Sequence, residues 1–219
     1  HIFEEHIESE QLYQRCLRKL SLKDRTIYEM RKWLKETELA DDLEVNTLVG
    51  KLLQKGYLDD EKLCIEQILA LSNSLYGPKQ IITKLKQRGI KEDCILACME
   101  QLKIKEYEYA LTYAIKALKQ SQKSSVTKTK NTIRNKLMTR GYSNSTIEKV
   151  VSELDYSSNK ENENVLLEKL IQKAMKRYER KYRGYDLKTR IYRYCLTQGF
   201  HGEDISVLMD RMEWSHDED

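Results

Sequence analysis

Apolar residues along this chain recur at spacings of three and four, the pattern of α-helices that bury one face. The clearest example begins at Pro78, the only proline in the sequence, and ends near Gly89. Proline suits the first turn of a helix because its φ is already helical and it lacks an N–H that would have no partner there. Glycine suits the end of a helix because it adopts the left-handed conformation easily. A second helix follows, and the apolar positions of this helix–glycine–helix pair are Ile81, Leu85, Ile90, Ile95, Met99 and Leu102.

The same pair recurs along the chain. Counted from the residue after the glycine, apolar residues follow at +5, +9 and +12 in three copies without a gap. The second copy consists of Ile133, Leu137, Gly141, Tyr142, Ile147, Val151 and Leu154. The third copy consists of Ile191, Cys195, Gly199, Phe200, Ile205, Met209 and Met212. A weaker, earlier copy needs one inserted residue and has Glu38 in place of glycine; it consists of Met30, Leu34, Glu38, Leu39, Val45, Val49 and Leu52.

The stretches between the pairs are long enough for a third helix, which we predict at about 59–73, 104–121 and 161–182. The sequence therefore predicts an all-α protein of tandem three-helix repeats, with above about 70% helix and no sheet. The predicted organisation is an N-terminal helical segment at 1–20, a degenerate repeat 1 at 21–75, repeat 2 at 76–122, repeat 3 at 123–183 and a partial repeat 4 at 184–219.

Composition supports a helical protein outside the membrane. No apolar run approaches the roughly 18 residues that a membrane span requires. The chain opens with the acidic stretch HIFEEHIESEQ, where a signal peptide would be basic, and without a starting Met, so residues N-terminal to His1 can be missing. Its five cysteines are odd in number and scattered, which is typical of a reducing cytoplasm.

Charge is distributed unevenly, although the net charge is only +4. The segment 109–147 contains no acidic residue, whereas both ends of the chain are acidic. The basic residues of this segment are Lys116, Lys119, Lys123, Lys128, Lys130, Arg134, Lys136 and Arg140. Such asymmetry indicates an anionic partner for the middle of the chain.

Catalytic and metal motifs are missing from the sequence. Cys94 and Cys98 are four residues apart, but no second ligand pair is near in the sequence, so we interpret the cysteines as small core residues and expect no metal and no disulfide. Asp59, Asp60 and Glu61 resemble the capped first turn of a helix more than a catalytic cluster. The eight glycines are isolated and form no phosphate-binding loop. We expect no enzymatic activity and no cofactor.

Basic side chains crowd the first helix of three repeats, and stacked repeats could align them into one extended positive surface. Tyrosines interleave with the later cations and could stack on bases. A solvated helical face is the competing interpretation. The predicted binding residues are Lys79, Lys84, Lys86, Arg88, Lys128, Lys130, Arg134, Lys136, Arg140, Arg190 and Arg193.

Two stretches of the sequence resemble a known family. KGYLDDEKLCIEQI at 55–68, followed by YGPKQIITKLKQRGIKEDCI at 76–95, is similar to the signature region of the RecX family, bacterial regulators of the RecA recombinase. At repeat level the resemblance extends from about Ser21 to Met212. It implies an elongated, curved solenoid of three-helix repeats that binds in the groove of the RecA–DNA filament and modulates, usually inhibits, RecA's ATPase and strand exchange. Compact members of the family have three repeats, whereas this chain has four copies of the pair.

Three functional hypotheses follow. The first is a non-enzymatic, cytoplasmic regulator whose partners are RecA and its DNA filament, with single- or double-stranded DNA as a further direct partner and no membrane. The second is a helical-repeat protein that binds DNA or RNA directly, and the third is a protein–protein scaffold. Binding to naked DNA compared with RecA-coated DNA separates the first two, and the third predicts neither.

Overall fold

The computed structural model describes residues 2–37, 40–212 and 214, and this part of the chain contains α-helices but no strand. Helix accounts for 78% of it, which confirms the predicted all-α class. The helices in the first half are α1 (Ile2–Leu22), α2 (Ile27–Glu36), α3 (Asp42–Gln54), α4 (Asp60–Asn73), α5 (Pro78–Gln87) and α6 (Glu92–Leu102). Those in the second half are α7 (Glu106–Gln120), α8 (Val126–Arg140), α9 (Asn144–Glu153), α10 (Ser157–Tyr178), α11 (Gly184–Thr197) and α12 (Gly202–Asp210). The three predicted third helices correspond to α4, α7 and α10.

Each intact helix–glycine–helix pair turns in the same way. Gly89 has φ +82°, and the next residue, Ile90, donates its N–H to the Leu85 carbonyl at 3.2 Å. The Gly89 N–H bonds to the carbonyl three residues earlier, which completes the two-bond Schellman motif that closes a helix. Gly141 (φ +97°) and Gly199 (φ +91°) close α8 and α11 with the same two bonds. The motif brings the residue after the glycine back against the last turn, which explains why that residue is apolar in every copy.

Equivalent apolar positions occupy equivalent places. Ile95, Ile147 and Ile205 are each the fourth residue of the second helix in their pair, and all three are buried. The predicted equivalence of the +5 position is therefore confirmed. The +9 position is less uniform, because Met99 is only partly buried while its neighbour Cys98 is 2% exposed. In the weaker copy the second-helix positions are buried, but Glu38 and Leu39 lie outside the described residues.

The buried side chains group each pair with the helix that precedes it. One hydrophobic cluster joins α1 with α2 and α3, a second joins α4 with α5 and α6, and a third joins α10 with α11 and α12. These clusters favour repeats that begin one helix earlier than the sequence-based boundaries 21–75, 76–122, 123–183 and 184–219. The division into repeats, and the curvature of the whole, stay predictions.

Two compact units make up the chain, His1–Tyr109 and Ala110–Asp219. In the first unit, the Thr26 hydroxyl at the start of α2 donates a 2.6 Å hydrogen bond to the carbonyl of Arg88, at the end of α5. In the second unit, the Ser125 hydroxyl at the start of α8 lies 3.2 Å from the carbonyl of Gln198, at the end of α11. The two units therefore use the same kind of contact, a helix-capping hydroxyl on the end of a later helix, to join one pair to another.

Candidate anion-binding surfaces

Four lysines converge on a pocket of the second unit. Lys123 and Lys128 approach it from the start of α8, and Lys169 and Lys173 approach it from α10. The α10 lysines are four residues apart, so they lie on one face of the helix. The pocket has a volume of about 240 Å³, and the residues that line it include no acid. We call these four lysines and the space between them the lysine pocket.

The start of α8 adds to the positive character of this pocket. Ser125 is 1% exposed and caps the helix by accepting the N–H of Lys128 at 3.2 Å. Helix N-termini carry partial positive charge and are usually balanced by acids in the first turn. The first turn of α8 contains no acid, and Lys128 stands at its third position. An external anion can therefore bind at this N-terminus and neutralise the partial positive charge that a first-turn acid would otherwise neutralise.

A buried amide fixes the turn that carries Lys123. The Asn159 side-chain nitrogen, 1% exposed, lies 3.0 Å from the Ser121 carbonyl, 2.9 Å from the Ser124 carbonyl and 3.1 Å from the Thr129 hydroxyl. Its two hydrogens are thus shared among three acceptors on both sides of the turn. Because Asn159 belongs to α10, these bonds attach the turn before α8 to the helix that carries the other lysines.

An open groove in the same unit combines aromatic and basic side chains. It lies between α11 and α12, has a volume of about 710 Å³, and is lined by Tyr185, Tyr192 and Trp214 together with Lys188 and Arg193. Tyr185 is 82% exposed, so its ring is free of the core. Aromatic faces with nearby cations are the combination that binds unstacked nucleobases. We call this feature the aromatic groove.

Several of the predicted binding cations already have acidic partners. Lys86 Nζ lies 2.6 Å from Glu92 Oε2, and Arg134 Nε lies 3.0 Å from Glu148 Oε1. Both pairs are substantially exposed, so solvent and salt weaken them and the cations remain available to a stronger anion.

Arg88 is different, because its guanidinium group is part of the fold. Its Nε and one terminal nitrogen donate to the two Glu29 carboxylate oxygens at 2.9 and 3.1 Å, and the same terminal nitrogen lies 3.1 Å from the Asp24 carbonyl. Glu29 also accepts the Thr26 N–H in the capping box of α2. These hydrogen bonds raise the pKa of Arg88 further above its ordinary value. The side chain connects α5 to α2 and presents little free charge.

The remaining predicted cations differ in what their side chains contact. Four lie over tyrosine rings: Lys84 on Tyr76, Lys130 on Tyr156, Arg140 on Tyr113 and Arg190 on Tyr182, at 4.7, 5.2, 5.4 and 3.7 Å from the ring centre. Lys136 donates to Gln120 and Lys128 to Gln198, while Lys79 and Arg193 are exposed. Of these four rings, only Tyr182 belongs to the later stretch whose tyrosines could stack on bases, and it contacts Arg190 instead. Since the eleven residues are divided between the two compact units, their union in one surface stays a prediction.

Sequence reasoning missed three of the four lysines in the pocket. Lys123 was noted only for the charge of its segment, and Lys169 and Lys173 were not noted at all. Their four-residue spacing within a predicted helix was the available signal. The acids earlier in the same helix, Glu161 and Glu163, obscured it.

Acidic and sulfur-containing side chains have local roles in the first unit. Asp59 accepts the Lys62 N–H at 3.0 Å, which confirms that it caps α4. Asp60 accepts the Ile27 N–H at 2.9 Å, and burial raises the pKa of this carboxyl. All five cysteines are free thiols. The sequence offers no second ligand pair near Cys94 and Cys98, but α4 places a third cysteine, Cys64, beside them in the fold.

The fold and these surfaces define an all-α protein of repeated helix–glycine–helix units with cation-rich pockets. Among the described residues, none of the helices has the length and apolar character to cross a bilayer. No family model matches the chain. Individual proteins do match it along most of its length, and their names agree with one another.

Along most of its length the chain is similar to proteins named regulatory protein RecX. It is 28% identical over 197 residues to the regulatory protein RecX of Lactococcus lactis subsp. cremoris, covering 87% of this chain and 72% of the relative. It is 29% identical over 201 residues to the regulatory protein RecX of Bacillus licheniformis, covering 90% and 75%. The crystal structure of RecX from Lactobacillus salivarius has the same fold, with a TM-score of 0.64 and 24% identity over 68% of this chain and 98% of that one. A second crystal structure of a regulatory protein RecX aligns with a TM-score of 0.59 and 26% identity, covering 67% and 74%.

Proposed function

We propose that this chain is a non-enzymatic regulator that binds the RecA–DNA filament through its basic helical surfaces and modulates RecA's ATPase and strand exchange, with inhibition as the expected sign. It would act in the cytoplasm, where the filament forms. The relatives are named regulatory proteins, which supports regulation over catalysis. The observation on which the proposal rests is the lysine pocket, with four cations and no acid in its lining.

A DNA phosphate group suits this pocket chemically. Lysine ammonium groups neutralise phosphates without reading sequence, and the partial positive charge at the N-terminus of α8 lies beside the same space. Sequence-independent contacts of this kind let a regulator bind a filament anywhere along its length. They also make the affinity fall steeply with salt, because each neutralised phosphate releases counterions.

The proposal is tested with RecA's DNA-dependent ATPase and strand exchange, titrated with this protein. Wild type should suppress both rates, and higher salt should relieve the suppression. The variant with Lys169→Ala and Lys173→Ala should need more protein for the same suppression. Its binding to DNA should show a salt slope smaller by about 1.4–1.8 units, since each lost phosphate contact removes about 0.7–0.9.

A matched control removes the same two charges elsewhere. Lys32 and Lys35 in α2 are about 60% exposed, and they belong to the first unit and to neither the lysine pocket nor the predicted binding residues. The variant with Lys32→Ala and Lys35→Ala should behave like wild type. Equal suppression by the pocket variant would exclude the pocket as a contact. If saturating wild type changes neither rate, the recombinase proposal fails and direct nucleic-acid binding replaces it.

The aromatic groove favours that second function, direct binding of single-stranded nucleic acid. Stacking of one base on an aromatic ring contributes about 1–3 kcal/mol. Tyr185→Ala should therefore weaken binding of a labelled single strand by about fivefold or more in fluorescence anisotropy without RecA. Tyr57→Ala, which removes a 53% exposed tyrosine from the first unit, is the control. Equal affinity of the Tyr185 and Tyr57 variants would exclude stacking in the groove.

A further inference from the structure

Three cysteines from two helices meet inside the first unit. Cys64 comes from α4, Cys94 and Cys98 come from α6, and the three Sγ atoms all lie within 4.8 Å of one another. Cys94 and Cys98 are four residues apart, so both thiols lie on the face of α6 that packs against α4. Cys64 and Cys98 are buried, whereas Cys94 is partly exposed. Hydrophobic residues, among them Ile68 and Ile95, complete the surroundings.

We infer that this thiol trio is a binding site for a single thiophilic d10 metal ion, of the class of Zn²⁺ and Cu⁺. Cysteine thiolates are soft ligands and prefer these ions to the hard cations Mg²⁺ and Ca²⁺. An iron–sulfur cluster would require four cysteine ligands, and the trio supplies three. A single ion is therefore the occupant that the donor set fits.

The distances suit an ion of this size. Metal–sulfur bonds of about 2.3 Å place three ligating sulfurs about 3.8–4.0 Å from one another, depending on whether the geometry is tetrahedral or trigonal. The three Sγ atoms lie within 4.8 Å of one another, so metal binding requires each Sγ–Sγ separation to shorten by no more than about 1 Å. Side-chain rotation at the partly exposed Cys94 can supply most of that movement without disturbing the buried pair.

The two ions would complete their coordination differently. Zn²⁺ prefers four ligands, and the partly exposed side of Cys94 leaves room for a water molecule in the fourth position. Cu⁺ accepts three thiolates without a fourth ligand. Negative charge nearby favours either ion, because Asp60 lies close enough to Cys94 for its carboxylate to raise the pKa of that thiol, in addition to the larger effects of burial and Cys98.

The site would connect α4 to α6 and so stabilise the first unit. Ligands that bind only the folded state raise the apparent stability by mass action. Burial and the neighbouring Cys98 raise the pKa of the Cys64 thiol. Because the thiolate is the form of cysteine that binds metal, binding releases thiol protons, and the bound ion itself gives a measurable change in mass.

Cd²⁺ is the first probe, since it substitutes for Zn²⁺ and gives an ultraviolet sulfur-to-metal absorption band. Added to the fully reduced whole chain, it should saturate at one equivalent with the intensity of three Cd–S bonds. Cys94→Ser should reduce the band to two bonds, and Cys195→Ala, a buried cysteine of the other unit, should leave it unchanged. A band that is absent, or equal in wild type and Cys94→Ser, overturns the inference and leaves the trio as core residues.

Native mass spectrometry of wild type keeps the test independent of how the variants fold. At a given charge state, one bound Zn²⁺ should add the mass of zinc less that of two protons, and one bound Cu⁺ should add the mass of copper less that of one proton. Separate additions of the two ions distinguish them: Zn²⁺ alone supports the four-ligand arrangement, and Cu⁺ alone supports the three-ligand arrangement. Retention of neither ion at one equivalent overturns the site.

Discussion

Arg88→Ala should destabilise the first compact unit much more than Lys86→Ala, although both residues are basic, lie two positions apart and belong to the predicted binding set. The Arg88 guanidinium makes two bonds to Glu29 and one to the Asp24 carbonyl, while Lys86 makes one contact with Glu92. The side chains of Arg88 and Glu29 are only 20% and 24% exposed, against 50% for each member of the Lys86 pair.

These exposures set the expected size of each effect. Breaking a fully buried ion pair costs about 3–5 kcal/mol, and an exposed pair contributes about 0–1 kcal/mol. A bidentate pair with about a fifth of its surface exposed falls between the two limits. We expect Arg88→Ala to cost about 2–3 kcal/mol of unfolding free energy and Lys86→Ala less than about 1 kcal/mol.

The effect of Arg88→Ala should also depend on pH. Burial alone would raise the pKa of Glu29, but the hydrogen bonds from Arg88 and from the Thr26 backbone outweigh it and lower the pKa below its ordinary value of 4.5. A lowered folded-state pKa gives stability that is complete above the unfolded value and is lost as the pH falls through the folded value. The difference between wild type and Arg88→Ala should therefore be full at pH 7 and shrink steadily below pH 4.5.

The chain offers a convenient probe for the measurement. It contains two tryptophans: the partly buried Trp33 packs against the core of the first unit, and Trp214 lies in the second unit. In a Trp214→Phe background, urea unfolding followed by fluorescence reports the first unit alone. Equal midpoints for Arg88→Ala and Lys86→Ala, or a penalty for Arg88→Ala that persists undiminished at pH 3, would refute the reasoning.

Three further predictions concern the second unit. Gly199→Ala should cost about 1–3 kcal/mol in urea unfolding, because φ is +91° and the new Cβ would lie 2.8 Å from the Ser125 hydroxyl; an unchanged midpoint would contradict this. Asn159→Ala should lower the free energy of unfolding by a similar amount, because it leaves buried hydrogen-bond acceptors without a donor. Calorimetry measures this effect, and an unchanged melting temperature would contradict the prediction. Lys130→Ala with Arg134→Ala should lower the salt slope of DNA binding by about 1.4–1.8 units without unfolding the chain, and unchanged DNA and filament affinity would remove this face of α8 from the site.

Local sequence was sufficient for the secondary structure and for the repeat. A Schellman turn depends on six consecutive residues, so a glycine such as Gly141 followed by an apolar residue predicts the helix end without knowledge of the fold. The +5 position follows for the same reason, since the turn fixes where the next helix begins. The prediction was less accurate at +9, where Met99 and Cys98 lie about 100° apart on the helix and only contact with α4 decides which one is buried.

The sequence by itself therefore determined the helical class, the repeated pair and the excess of basic residues. Only the tertiary structure decided which side chains meet. Lys123 joins Lys169 because Asn159 attaches the turn before α8 to α10, and Cys64 joins Cys94 because α4 packs on α6. These partners are separated by about thirty or more residues, and no local spacing encodes their distance. The packing of helices onto a shared core brings them together, and that packing depends on many weak apolar contacts at once.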